Sequence, residues 1–410
     1  MIVVLDCSAA RVPLRNRGRS VYLHAVLILP SSTETPVEPY PQWHYQYGLD
    51  AIHLEIYEAL NGSIATAARR EFDLRTQLTM TSKDQPLVSV LTPVYNGEEF
   101  LAECIESVLA QGYQHWEYHI VNNCSTDGTL RIAQSYADKD PRIRVTTNKT
   151  FVNVAENHNI AFGLISPESK YCKVVSADDW IMPECLAEMV GFADAHPSVG
   201  IVGAYQRSGD RMKWQGLPSG VSVISGREVC RLGLLNNVHV LANPTALLYR
   251  AEVVRRYSPF FPHNQLHCDT SSCYRALQDC DFGFLHEALS VERLHPEQMT
   301  VGANKLGMGC LAFLETLQDY GPIYLTEDEL AERKRDCYAN YYRWLGGCLL
   351  KLKGYDFWRY HSQGLNRLAI RMEWTKILIG AAREILEELK NPKAAAKKFI
   401  AALASKVHGD

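Results

Sequence analysis

The chain is 410 residues long, with 47% hydrophobic and 21% charged residues, an ordinary globular composition that leaves room for two or three domains. Its formal net charge of -4 gives no electrostatic case for a nucleic-acid binder. No apolar run reaches the ~18 residues of a membrane-spanning helix. Val21 to Pro30 follows an Arg-rich stretch but contains a His and lacks a clear cleavage site, so it makes a poor secretory leader.

Residues 1–85 differ from the rest. They hold scattered Arg, the stretch SSTETPVEPYP and one expected helix, near Leu49 to Arg70. Met80 lies just ahead of the first crisp pattern, which starts at Pro86. Residues 1–79 are therefore expected to be an upstream extension or a poorly ordered appendage, with Met80 as the natural start.

From Pro86 strands and helices alternate. Leu87 to Thr92 is β-rich; Val94 to Gly97 reads as a turn. Asn96 with Glu99 suggests a capping box for a helix carrying Leu101, Ile105, Val108 and Leu109. Strands follow at Tyr118 to Val121, Ile143 to Thr146 and Tyr171 to Val175, with helices from about Asp127, Val154 and Pro183. This β-α-β-α-β series predicts an α/β fold with a mostly parallel sheet and helices on both faces. After residue 305 the strand signal ends, and helices are expected at Ala312–Asp319, Glu327–Leu352 and Thr375–Lys390. The domains expected are thus an extension at 1–85, an α/β domain at 86–305 and a helical region at 306–410.

Ligands of such sheets bind outside the carboxyl ends of the strands. The stretch KVVSADDWIMP puts Asp178 and Asp179 at one of those ends, and Pro93, Tyr95, Asn122 and Asn123 lie at others. G-x-G-x-x-G after the first strand, the P-loop, H-E-x-x-H and G-x-S-x-G are all missing. A paired carboxylate offers another route, in which a hard cation such as Mg²⁺ or Mn²⁺ joins the protein to a diphosphate. The plainer reading is that one of the two acids caps the helix near Pro183. The 12 cysteines include no C-x-x-C, and Cys268, Cys273 and Cys280 beside His267 lack zinc-knuckle spacing. They read as reduced thiols of a cytoplasmic protein.

The block PLVSVLTPVYNGEEFLAECIESVLAQ, then VNNCSTDGT, then SADDWIMP, resembles glycosyltransferase family 2 over about Pro86 to Thr300. That resemblance implies a GT-A fold and transfer of a sugar from a nucleotide-sugar, a UDP-sugar by family frequency, with inversion. The acceptor it implies is a glycan or lipid-linked saccharide in cell-surface polysaccharide synthesis. It implies that Thr92, Pro93, Tyr95 and Asn96 hold the nucleobase, with Asn123 in the place of an acid that contacts base or ribose. Relatives commonly read D-x-D-D at the metal motif, and here Ser176 replaces the first acid. Asp178 is then the expected metal and donor ligand, with Asp179 and His295 completing the metal set and Arg293 offsetting diphosphate charge. In LHCDTSSCYRAL, Asp269 matches the catalytic base; its plain reading is a helix cap. The Asn122, Asn123 and Ser176 departures motivate an alternative, a catalytically weakened nucleotide-sugar or glycan-binding protein. The Lys-rich tail beyond Asn391 suggests peripheral contact with the inner face of a membrane, against a solvated helix as the plain reading.

Overall fold

The computed structural model describes residues 2–3, 27–28 and 85–390, apart from 237–239, 242, 263–266 and 297. The chain divides into two compact units, Met1–Ala59 and Leu60–Asp410. In the first, Ile2–Val3 pairs antiparallel with Leu27–Ile28. The expected helix at Leu49 to Arg70, the start at Met80 and the Lys-rich tail all lie outside the described residues.

The second unit is built on a ten-stranded sheet among the described residues. Four strands, β1 (Val88–Val94), β2 (Trp116–Asn122), β3 (Ile143–Thr147) and β4 (Tyr171–Val174), lie parallel in the order β3-β2-β1-β4. Two more long strands, β6 (Val199–Ser208) and β10 (Asp281–Glu292), are parallel to each other. Between β4 and β6 runs the antiparallel β9 (Leu247–Arg250). The short strands β5 (Trp180–Ile181), β7 (Arg211–Lys213) and β8 (Val223–Ile224) edge β10 and β6 antiparallel. Six of these ten strands therefore share one direction, and the sheet is mostly parallel.

Burial explains the sequence of the strands. All seven residues of β1 and of β2 are buried, as expected where helices cover both faces of a parallel sheet. The edge strand β3, IRVTT, is only partly covered and carries the charged Arg144. One face packs on α1 (Leu101–Leu109), α2 (Thr129–Ala137) and α4 (Cys185–Ala195). The other packs on α3 (Val154–Phe162), α5 (Gly226–Asn236), α6 (Ala251–Arg255) and α7 (Cys268–Ala276). The predicted helical spacing holds in α1, where Leu101, Ile105 and Val108 are fully buried. The expected capping box does not form. Asn96 sits at φ 47, so the chain is still turning there, and α1 starts four residues later at an N-cap of Phe100.

Beyond the sheet lie α8 (Met299–Leu306), α9 (Met308–Tyr324), α10 (Glu327–Leu350), α11 (Tyr355–Arg367) and α12 (Trp374–Lys390). Thr326 and Glu329 form a reciprocal capping box that starts α10. α9 ties this region to the sheet, because Leu317, Tyr320 and Tyr324 join the core beneath α5 and α7. A separate core holds the helices to one another through Leu311, Tyr341, Leu345, Phe357, Leu365 and Ile377. α10 and α12 approach closely at glycines. A Cβ at Gly346 would lie 2.2 Å from the Ala381 nitrogen, and one at Gly380 2.7 Å from the Tyr342 carbonyl oxygen. His361 is fully buried here, with Nδ1 2.7 Å from the Tyr341 hydroxyl and Nε2 2.8 Å from the Leu306 carbonyl. Burial pushes its pKa down to about 4, so the ring is neutral and serves as one donor and one acceptor. No described helix is long and apolar enough to cross a membrane.

Candidate active site

The paired acids sit on a turn that two neighbouring strands hold in place. β4 ends as the Val175 N–H reaches the Leu91 carbonyl (2.9 Å), and the chain then turns so that the Asp179 N–H bonds Ser176 O at 3.0 Å. Thr245, fully buried in the 3-10 turn Pro244–Ala246, accepts the Ser176 N–H at 3.0 Å and donates to Ser176 Oγ at 3.0 Å. Asn243 caps that 3-10 turn by accepting the Ala246 N–H at 3.2 Å. Below it lies Lys173, fully buried in an otherwise apolar strand. Its Nζ donates to Thr245 O (2.6 Å) and Leu247 O (3.0 Å). Burial lowers the Lys173 pKa, while nearby Cys185 and Asp179 counter it.

The two acids face different surroundings. The Asp178 side chain is 36% exposed and its Oδ2 lies 3.2 Å from His295 Nε2. Asp179 is 4% exposed and accepts the Arg293 backbone N–H at 3.3 Å. Burial first, then the adjacent Asp178 charge, pushes the Asp179 pKa up to about 7. Neither acid caps α4, whose N-cap is Glu184. β10 delivers the partners as it leaves the sheet. Arg293 donates through Nε to the Asp178 carbonyl at 3.3 Å and through Nη2 to Glu103. Its guanidinium lies 4.9 Å from the Phe100 ring centre and 4.8 Å from that of Trp180. His295 packs on Phe100 with ring centres 4.7 Å apart.

This donor set suits a divalent cation that keeps waters and takes phosphate oxygens. Asp178 and His295 bring a carboxylate oxygen and an imidazole nitrogen to one point, with Asp178 open on its other side. Among the described residues no group of three His, Cys, Asp or Glu is placed to hold an ion unaided. Asp179, expected in the metal set, is 4% exposed and accepts an amide N–H, so its carboxyl is far more enclosed than that of Asp178. Arg293 is likewise paired with Glu103, so offsetting a diphosphate would mean sharing or releasing that acid.

Two of the residues expected at the nucleobase are accessible or close to the surface, and three are not. Tyr95 is 49% exposed and meets Phe151, itself 61% exposed, edge-to-face at 4.8 Å. Asn96 ties two loops together, its Oδ1 accepting the Thr126 N–H at 2.9 Å while its own N–H reaches Ser125 Oγ at 3.0 Å. Thr92 is fully buried and bonds the Tyr118 hydroxyl and Val175 O, each at 2.8 Å, so it braces the sheet. Pro93 is buried within β1. It is tolerated in a central strand because Leu91 makes the last bond to the β4 side, and Pro93, two residues on, has no partner there for an N–H. Asn123 is 3% exposed, donates to Val152 O (2.8 Å) and accepts the Val152 N–H (3.0 Å) and Asn148 Nδ2 (3.0 Å). It anchors the loop that carries Phe151, and this two-sided pairing uses an amide where a carboxylate has no donor.

Asp269 lies in the first turn of α7, where its Oδ1 accepts the Thr270 N–H at 2.7 Å; the N-cap is His267. Its charge acts on Cys268, Cys273, Tyr249 and His158. No hydrogen bond or ion pair links it to Asp178, Asp179, Arg293 or His295 among the described residues.

The sequence analysis missed several members of the site. Lys173 lies within the stretch KVVSADDWIMP, where a Lys inside an apolar strand is the signal that marks it; Thr245 carries no such signal. Glu103, Phe100, Trp180 and Phe151 carried no such signal, because their partners lie far along the chain, 190 residues away for Glu103 with Arg293. Ser125, Thr126 and Asp127 stand at the start of the helix expected from about Asp127. They hold the Asn96–Glu98 turn, with Asp127 Oδ2 accepting the Glu98 N–H at 3.0 Å.

Residues 89–257 match the family model described as glycosyl transferase family 2. The putative glycosyltransferase EpsE of Bacillus subtilis is 40% identical over 119 residues, covering 29% of this chain and 42% of that protein. The putative teichuronic acid biosynthesis glycosyltransferase TuaG of the same organism is 40% identical over 95 residues, covering 23% and 37%. The chain thus spans less than half the length of either relative. A solved structure of S. aureus TarS, residues 1–349, superposes with a TM-score of 0.46 at 18% identity, covering 62% of this chain and 71% of that one.

Proposed function

We propose that this chain, whose residues 89–257 belong to glycosyl transferase family 2, is an inverting transferase. It moves a sugar from a nucleotide-sugar, with UDP as the expected carrier, to a glycan or lipid-linked saccharide in cell-surface polysaccharide synthesis. The observation that carries the reading is the convergence of Asp178 and His295 at the end of β4, beside the Arg293 guanidinium. Past the ends of β1 and β3 the exposed Tyr95 and Phe151 rings meet edge-to-face and leave aromatic surface for a base.

A divalent cation, Mn²⁺ or Mg²⁺, supplies charge stabilisation of the departing diphosphate when bound. Asp178 and His295 are the residues that hold it. Asp179 and Thr245 fix the turn on which Asp178 stands. Asp269 takes the proton of the acceptor hydroxyl as that oxygen bonds the anomeric carbon. The bond from that carbon to the diphosphate breaks on the opposite face, and the nucleoside diphosphate leaves with the bonding electrons. The protein works at the cytoplasmic side of the membrane that carries a lipid-linked acceptor.

A second reading is a nucleotide-sugar or glycan-binding protein with weakened catalysis. Ser176 in place of an acid and the fully engaged Asn123 favour it. Release of nucleoside diphosphate from a panel of nucleotide-sugars, with Mn²⁺ or with EDTA, separates the two. The transferase reading expects metal-dependent release in wild type and its loss in Asp269→Asn with donor binding intact. Donor binding without turnover on any acceptor extract would establish the second reading instead.

A further inference from the structure

The helical region carries a concave cleft of about 540 Å³ between α11 and the start of α12, which the transferase chemistry does not use. Its floor is aromatic. Trp358 and Trp374 meet with ring centres 5.1 Å apart, and Tyr355 stands beside them, 76% exposed. The Trp358 indole is fixed, because its Nε1 donates to Lys353 O at 3.1 Å. The rim is polar: Gln363, Asn366 and Arg371 line the cleft, are exposed, and have side chains that form no hydrogen bond or ion pair among the described residues.

The opposite faces of the same helices are held rigidly. Phe357, His361 and Leu365 of α11 and Ile377 of α12 are at most 3% exposed in the helical core. The cleft is therefore preformed: Trp358 packs on the edge of that core, while the rings of Trp374 and Tyr355 stay exposed above it. Indole faces beside free amides and a guanidinium match a sugar ring, which has an apolar C–H face and hydroxyls around its edge. A membrane or a helical partner would be met instead by a continuous apolar strip, which this cleft interrupts with five polar side chains, those of Arg359, Ser362, Gln363, Asn366 and Arg371.

We propose that this cleft binds a saccharide chain and retains the acceptor polymer at a distance from the reaction centre, an inference that rests on the transferase reading above. The test uses the full-length protein on an array of bacterial surface glycans, followed by titration of its intrinsic tryptophan fluorescence with the glycans retained. Wild type is expected to retain glycans, and Trp374→Ala to weaken them about tenfold or more. Asn366→Ala, on an exposed position that the fold does not need, is expected to weaken them as well. Both variants keep wild-type release of nucleoside diphosphate from donor alone, and both raise KM for polymeric acceptor without changing kcat. Absence of any retained glycan, or equal retention by wild type and both variants, overturns the proposal. Failure of the transferase reading shows separately, as no donor turnover by wild type whatever the array reports.

Discussion

Asp179→Asn should stabilise the protein, and only at higher pH. In the folded chain the carboxyl titrates near 7 instead of its ordinary 3.8, because it is buried and lies beside Asp178. Between those two values the unfolded chain has lost a proton that the folded chain keeps. Stability therefore falls as pH rises through this window and levels off above 7. A shift from 3.8 to about 7 corresponds to about 4 kcal/mol by linkage, an upper figure for a carboxyl with a charged neighbour. Asn has no charge to bury and keeps the oxygen that accepts the Arg293 N–H. Urea unfolding in EDTA, stepped from pH 4 to pH 8.5, should show matched midpoints at the acid end and a growing advantage for the variant toward the alkaline end. A pH-independent difference, or a variant that loses ground at pH 8, would refute the reasoning. The second outcome would mean that Asp179 is ionised against Lys173 in the folded state.

Three further substitutions test the scaffold around the site. Asn123→Asp removes the donor that meets Val152 O and sets two oxygens face to face at a buried position, so thermal unfolding should show a loss of about 2 kcal/mol; an unchanged melting curve would contradict this. Thr245→Val keeps the shape but leaves the Ser176 N–H without its acceptor. It should cost about 1–3 kcal/mol and lower donor turnover together, and a stable variant with full turnover would show that the turn holds itself. Tyr95→Ala removes an exposed ring, so stability should stay within about 0.5 kcal/mol while donor affinity falls several-fold. Unchanged affinity by calorimetry would take Tyr95 out of the base site.

The alternation of short β-rich runs with helical periodicities was readable because each element is a local pattern. Ile143 to Thr146 and Val154 were located to within a residue in this way. Asn243 to Arg250 resembles an acceptor-side strand of the family, but its antiparallel run was not legible, since four residues, LLYR, look the same in either direction and only their partners β4 and β6 orient them. α11 was also missed. Its YDFWRYHSQGLNR mixes aromatic and polar residues, although the buried Phe357, His361 and Leu365 recur at helical spacing and made the helix legible.

The same division runs through the candidate site. Residue order alone placed polar and charged groups at particular strand ends, and it separated Asp178 and Asp179 from the apolar run before them. Local pattern suffices for that, because a charge at the end of a buried strand is informative wherever the strand lies. What it could not separate was Asp178 from Asp179, or Tyr95 from Thr92. Those pairs differ by exposure, and exposure is set by what arrives from elsewhere in the chain. Thr245 and Arg293 close over Asp179 while His295 meets Asp178; Tyr118 and Val175 cover Thr92 while Tyr95 clears the sheet. The sequence by itself thus determined which residue types stand at the mouth of the fold. Only the tertiary structure decided which of them face solvent and which serve as supports, because burial and pairing are properties of contacts between distant segments.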